Sequence, residues 1–162
     1  MDDNYPFTSF NFIVSINVEN SNELGLVNPL CDSAFSECDG LEMTMEPKTV
    51  REGGNNTQLI HLVGQVNYGN LTLKRGMTKN LALWKWFKIA ASSPTHRGLL
   101  AQTTIVMRDA AGKGQIKYEL FDCLPIKLKA APLNAKDGIV AVEEMQISYS
   151  YFDILNRSEA EQ

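Results

Sequence analysis

Strict alternation over a short span leaves a chain few choices, and the segment Phe10 to Val18, FNFIVSINV, shows it. Phe10, Phe12, Val14, Ile16 and Val18 are apolar, and apart from Ile13 the residues between them are polar. Successive side chains on a strand point to opposite faces, so this pattern fits a strand with one buried face. Comparable extended segments are expected at Ala34 to Met45, with Gly40 as a bend or bulge, at Thr57 to Tyr68, and at Leu71 to Lys74. Others follow at Leu100 to Arg108, Gln115 to Cys123, and Ile126 to Lys129 beyond Pro125. The last is Val140 to Tyr151, where Ala141, Glu143, Met145, Ile147, Tyr149 and Tyr151 share one side. Polar residues from Asn20 to Asn28, followed by Pro29, read as a loop. Pro47 and Gly53-Gly54 make Glu46 to Asn56 a long turn or projecting loop.

One segment follows a different period. In Asn80 to Ser92, NLALWKWFKIAAS, Leu83, Trp86, Phe87 and Ala90 recur at helical spacing. Thr78 or Asn80 can cap its start, and Ser92-Ser93-Pro94 stops it. Many strands and one helix predict a mainly β fold, a β-sandwich or barrel-like arrangement with one flanking α-helix at about Asn80 to Ser92. Residues 1–155 are expected to form a single β domain, and residues 156–162 a polar C-terminal tail.

Charge is sorted along the chain. Residues 1–52 hold ten acids against Lys48 and Arg51, whereas residues 53–108 hold seven bases and no acid. Either a solvated surface or a subunit with unlike faces, suited to head-to-tail contacts, would give such blocks. The acidic N-terminal stretch MDDNYPFTSF does not resemble a signal peptide, and no apolar run approaches the length of a membrane helix. Synthesis in the cytoplasm and no stable membrane insertion are expected, with any release by lysis or another route. The paired tryptophans, with Lys85 and Lys88, leave a membrane-surface or partner helix as an alternative.

Catalytic constellations are not expected. Cys31, Cys38 and Cys123 are an odd number without metal-type spacing and read as reduced thiols. His61 and His96 belong to no metal-ligand motif, and no Gly-x-Ser-x-Gly elbow is present. Arg51-Glu52-Gly53-Gly54-Asn55-Asn56 resembles a phosphate loop only loosely, because it lacks the Gly-Lys-Ser/Thr ending. Bases between Leu71 and Lys88 could neutralise phosphates, but no stacking platform accompanies them. No catalytic residue, metal or cofactor is therefore assigned. A hydrolase built on Cys123 or a histidine stays as a reading without a motif.

The order of several short motifs resembles the tail tube protein family of contractile phages and phage-like contractile injection systems. They begin with Tyr5-Pro6-Phe7 and the first strand. Phe35 to Glu42, FSECDGLE, is similar to the family segment F-x-E-x-x-G-L. Val50 to Asn55, VREGGN, is similar to Y-R-E-G-G, and Leu71 to Gly76, LTLKRG, to I-T-L-K-R-G. The tryptophan-bearing helix, Ile105 to Gly112, Pro125 to Lys127, Leu133 to Ala135 and Val140 to Tyr149 complete the order. Val50 stands where the family carries an aromatic residue, and Cys38 where Val or Ile is common. The resemblance implies homohexameric rings stacked into a hollow inner tube. It implies a contractile sheath, baseplate or spike and tail-terminator proteins as partners, and protein effectors or DNA as lumen cargo. It implies assembly in a virion tail or tail-like particle. Arg51, Glu52, Gly53, Gly54 and Asn55 are then expected at an assembly interface, and Lys74 and Arg75 are expected to pair with acids of a neighbour. A baseplate-proximal tube initiator, or a β-sandwich binding a small ligand in an apolar cavity, are the alternatives.

Overall fold

The computed structural model describes residues 11–33, 35–92 and 99–156. The first residues of the motif order (Tyr5 to Phe10), the helix stop at Ser93-Pro94, His96 with Arg97, and the C-terminal tail from 157 lie outside them.

Alternation places β1 (Phe12–Val18) as expected, with Val14, Ile16 and Val18 buried. It pairs on one side with the short β2 (Cys31–Ser33) and on the other with β9 (Ala101–Arg108), both antiparallel. The main sheet continues through β10 (Gly114–Lys129), β11 (Val142–Ser148), β8 (Asn70–Gly76) and β3 (Glu37–Asp39), while β12 (Tyr151–Asn156) pairs with β10. Among the described residues eight strands thus form one open sheet, whose buried face carries Ile16, Leu73, Ile105, Leu120 and Ile147.

Three expected boundaries move, each for a local reason. Pro125 does not split a strand: β10 runs for 16 residues, and Pro125 sits beside a register shift in its pairing with β11, the kind of irregularity at which sheets tolerate proline. The last expected strand divides instead into β11 and β12. Opposite the gap lies Asp122, in the left-handed region at φ 53°, with a second register shift between Leu120 and Cys123. The in-out alternation of the chain is reset across the two residues between β11 and β12. Tyr149 is buried, but the next inward residue is Phe152, and Tyr151 turns outward to stack on Phe121 at 4.6 Å. Gly40 ends a strand where a bend within one was expected. Its φ is 98°, and a Cβ there would lie 1.9 Å from the Asn70 carbonyl oxygen. The expected strand Ala34 to Met45 is therefore β3 and a separate β4 (Met43–Met45).

The helix forms as read. In α1 (Ala82–Ser92) Leu83 and Trp86 are buried. Asn80 caps it by accepting the Ala82 N–H at 3.0 Å, and Thr78 accepts the Asn80 N–H at 3.2 Å. Trp86 donates its indole N–H to the Leu99 carbonyl at 3.0 Å, so its only polar atom is satisfied inside the core.

Candidate assembly surface

Past Gly40 the chain leaves the core as a two-stranded arm. β4 pairs with β7 (Val66–Tyr68), and β5 (Lys48–Val50) pairs with β6 (Ile60–Leu62). The expected loop from Glu46 is thus partly strand, and the expected strand from Thr57 is broken at Gly64. The two pairings differ by one residue in register. At the offset a Cβ on Gly64 would stand 1.6 Å from the Glu46 carbonyl oxygen, so the strands cross closely where only glycine fits. Directly paired residues share a face, which puts Met43, Met45, Val66 and Tyr68 together on the inner part. On the outer part Lys48, Val50, Ile60 and Leu62 share one face, with Thr49 and His61 on the other. Tyr68 anchors the base of the arm through edge contacts with Tyr149 and Phe152. Tyr149 also donates its hydroxyl to the Gly40 carbonyl at 2.7 Å.

Most of the arm's apolar side chains are open to solvent, Leu62 at 49% and Val63 at 81%. Each of its two pairings has only two strands, so both edges of the ribbon are unpaired among the described residues, and its apolar side chains meet solvent.

Five of the expected interface residues come together at the arm's tip. Arg51, Glu52, Gly53 and Gly54 are exposed there, Asn55 is half-buried, and Gly54 turns the chain at φ 93°. The Asn55 N–H donates to the Glu52 carbonyl at 3.2 Å, and the Asn55 side chain accepts from the Thr57 N–H and hydroxyl. The tip borders an open, mainly polar hollow of about 570 Å³ that also reaches His61.

Lys74 and Arg75 lie elsewhere, on β8 in the main sheet, and both find partners within the chain. Lys74 pairs with Glu37 on β3 at 2.9 Å, and that bond raises the lysine's pKa. Arg75 is only 4% exposed. Its Nε donates to Glu143 on β11, one Nη donates to the Asn80 carbonyl at 3.1 Å, and the guanidinium lies over the Phe35 ring. Trp84 on α1 donates its indole N–H to the other Glu143 oxygen at 3.0 Å. This buried cluster ties sheet and helix together and gives the Arg75 charge its partners within the chain. Sequence reading missed it, although alternation carried the signal. Arg75 follows Leu71 and Leu73 on the inward face, and Glu143 precedes Met145 and Ile147 on theirs.

Burial pushes the thiols of Cys31 and Cys123 up to about 11 and that of Cys38 up to about 12, away from a reactive thiolate. No group of metal-ligating side chains occurs among the described residues, and no helix there is long and apolar enough to cross a membrane.

A mainly β fold with an open sheet, a single helix among the described residues and an exposed apolar arm is the fold of a structural protein class. Residues 8–153 match the family of the T4-like virus tail tube protein gp19, and the chain belongs to that family. No curated protein matches it in sequence. A chain in the cryo-EM structure of the anti-feeding prophage (AFP) baseplate aligns with a TM-score of 0.79 at 26% identity, covering 94% of this chain and 97% of that one. A chain of the PVC sheath–tube complex, from an extracellular contractile injection system in its extended state, gives 0.76 at 20% identity over 95% and 94%. Hcp1 from Salmonella typhimurium gives 0.52 at 15% identity over 90% and 86%; these two speak for the fold alone.

Proposed function

We propose that the chain is the inner tube subunit of a contractile injection system or phage tail. Six copies close into a ring, rings stack into a hollow tube, and the surrounding sheath drives the tube when it contracts. The tube serves as conduit for cargo, a protein effector or DNA, and meets baseplate and terminator proteins at its ends. Subunits are made in the cytoplasm and act within an assembled particle. The role is mechanical and uses no cofactor.

The observation that carries this reading is the arm. Its apolar faces and open edges need a partner, and a closed ring of identical copies supplies one for every subunit. The tip, Arg51 to Asn55, is the contact this reading assigns to assembly. Lys74 and Arg75 contribute to it indirectly, by fixing β3, β8 and α1 in the shape that neighbours meet.

Negative-stain microscopy of the purified protein tests the proposal. Hexagonal rings or hollow rods are expected at high concentration, and a persistent monomer would refute it. A second reading, a baseplate-proximal tube initiator, is favoured by the likeness to a chain of the AFP baseplate structure. An initiator stops at one or two rings, whereas a main tube subunit stacks without limit.

A further inference from the structure

The groove between the loop after β1 and the start of α1 lies apart from the arm and meets the buried cluster only at Asn80. It measures about 460 Å³, and its walls include Leu26, Val27, Pro29 and Leu81, with Lys79 and Lys85 at hand. Val27 is 82% exposed and Leu81 51%, so apolar surface meets solvent on both walls. The walls are held in place. The Asn28 side chain accepts the Val18 N–H at 3.0 Å and donates to the Val18 carbonyl at 2.7 Å, as a strand neighbour would. Asn80 caps α1 on the other wall and donates to the Leu30 carbonyl at 3.4 Å. A preformed groove spends little ordering free energy on its occupant. No acid lines it, and neither lysine has a carboxylate partner among the described residues. Its occupant should therefore combine carboxylates with aromatic or aliphatic side chains.

Residues 1–10, MDDNYPFTSF, have that chemistry: Asp2 and Asp3, no base, and Tyr5 and Phe7 close behind. They join the described chain at Asn11, whose carbonyl accepts the Arg108 N–H at 2.8 Å and whose amide donates to the Asp109 carbonyl at 3.3 Å. That is the far end of β1 from the groove, whose loop bonds to Ile16 and Val18. Seven strand steps separate Asn11 from Val18, about 23 Å. To reach the groove of its own subunit, Asp3 would need eight residues running back at nearly their full extension of about 26 Å. On the stacked-ring reading, a neighbouring copy offers the same segment free of that limit.

We propose that the groove receives residues 2–7 of a neighbouring copy, with Tyr5 or Phe7 against Val27 and Leu81, and Asp2 and Asp3 beside Lys79 and Lys85. The contact rests on the stacked-ring reading given above. Full-length Val27→Cys and Tyr5→Cys chains, mixed and oxidised, test it on a non-reducing gel. A covalent dimer is expected from the mixture and from neither variant alone. Lys79→Glu with Lys85→Glu should lower its yield about tenfold, and Asp2→Lys with Asp3→Lys should restore it. Rods in the microscope without a cross-linked dimer would overturn the contact and leave the tube reading standing. A cross-link confined to one chain carrying both cysteines would also overturn it. A dimer without rods supports the contact and counts against the tube.

Discussion

Arg75 brings a charge into a place with almost no water, and Glu143 brings the opposite one. Removing one partner leaves the other ionised and unpaired, which typically costs about 3–5 kcal/mol. Arg75→Ala should therefore lower the urea midpoint sharply, while Arg75→Met with Glu143→Leu should recover much of the loss. If the single and double variants unfold alike, the pair is not what holds β8 to β11. For the same reason reversing the charge at Arg75 would damage the fold before it touched any interface. Asp109 belongs to this scale too. Its carboxylate closes the β9–β10 turn, accepting first from the Lys113 N–H, then from the Gln115 amide and the Ala111 N–H, and these bonds lower its pKa against the opposing effect of burial. A carboxyl with a lowered folded pKa stabilises the fold above its unfolded pKa, near 3.9, and loses that contribution as pH falls through the folded value. Asp109→Ala should thus melt below the wild type at pH 7, with the gap narrowing under about pH 4. A gap of constant size down to pH 2 would show that the charge is not its origin.

Elements differ in how far the sequence announces them. The helix from Asn80 was legible because its cap, its apolar spacing and its polar face all agree locally. The arm was legible only at its tip, where Arg51 to Asn55 stand out as a turn. Its strands read as the end of an earlier extended segment, a loop and a single return strand, because the register offset at Gly64 depends on the Glu46 backbone across the ribbon. β10 was hidden for a similar reason. Pro125 looks like a stop, and only the pairing with Ile147 shows that the strand runs on. The switch from Tyr149 to Phe152 as the buried aromatic falls at the break between β11 and β12, where the chain passes from one stretch of β10 to another, a feature set by pairing with a distant strand. One prediction concerns the arm itself. Leu62→Lys with Val63→Lys adds charge where side chains already meet solvent, so monomer stability should change by no more than about 0.5 kcal/mol for each. Ring or rod formation should be lost. Intact rods from this variant would remove the arm from the assembly contacts.

At the scale of the whole molecule, the sorted charges change meaning on folding. The chain crosses acidic and basic blocks with each other: Glu37 of the first neutralises Lys74 of the second, and Arg75 meets Glu143 from the last stretch. The unlike ends suggested by the linear sequence are thereby reduced to what stays unpaired, such as the two lysines of the groove. What the linear order of motifs did convey was membership, because spacing between motifs survives even where individual strand ends shift.

β10 has one more consequence. Its first half is bonded to β9 and β12, and its second half to β11, so one continuous backbone links both parts of the sheet. A pull along this strand loads its ladder bonds in shear, many at once, whereas a pull across it opens them one after another. The subunit is therefore a tie rod in one direction and a zip in the other, and the orientation of β10 within an assembly decides which of the two a sudden thrust would find.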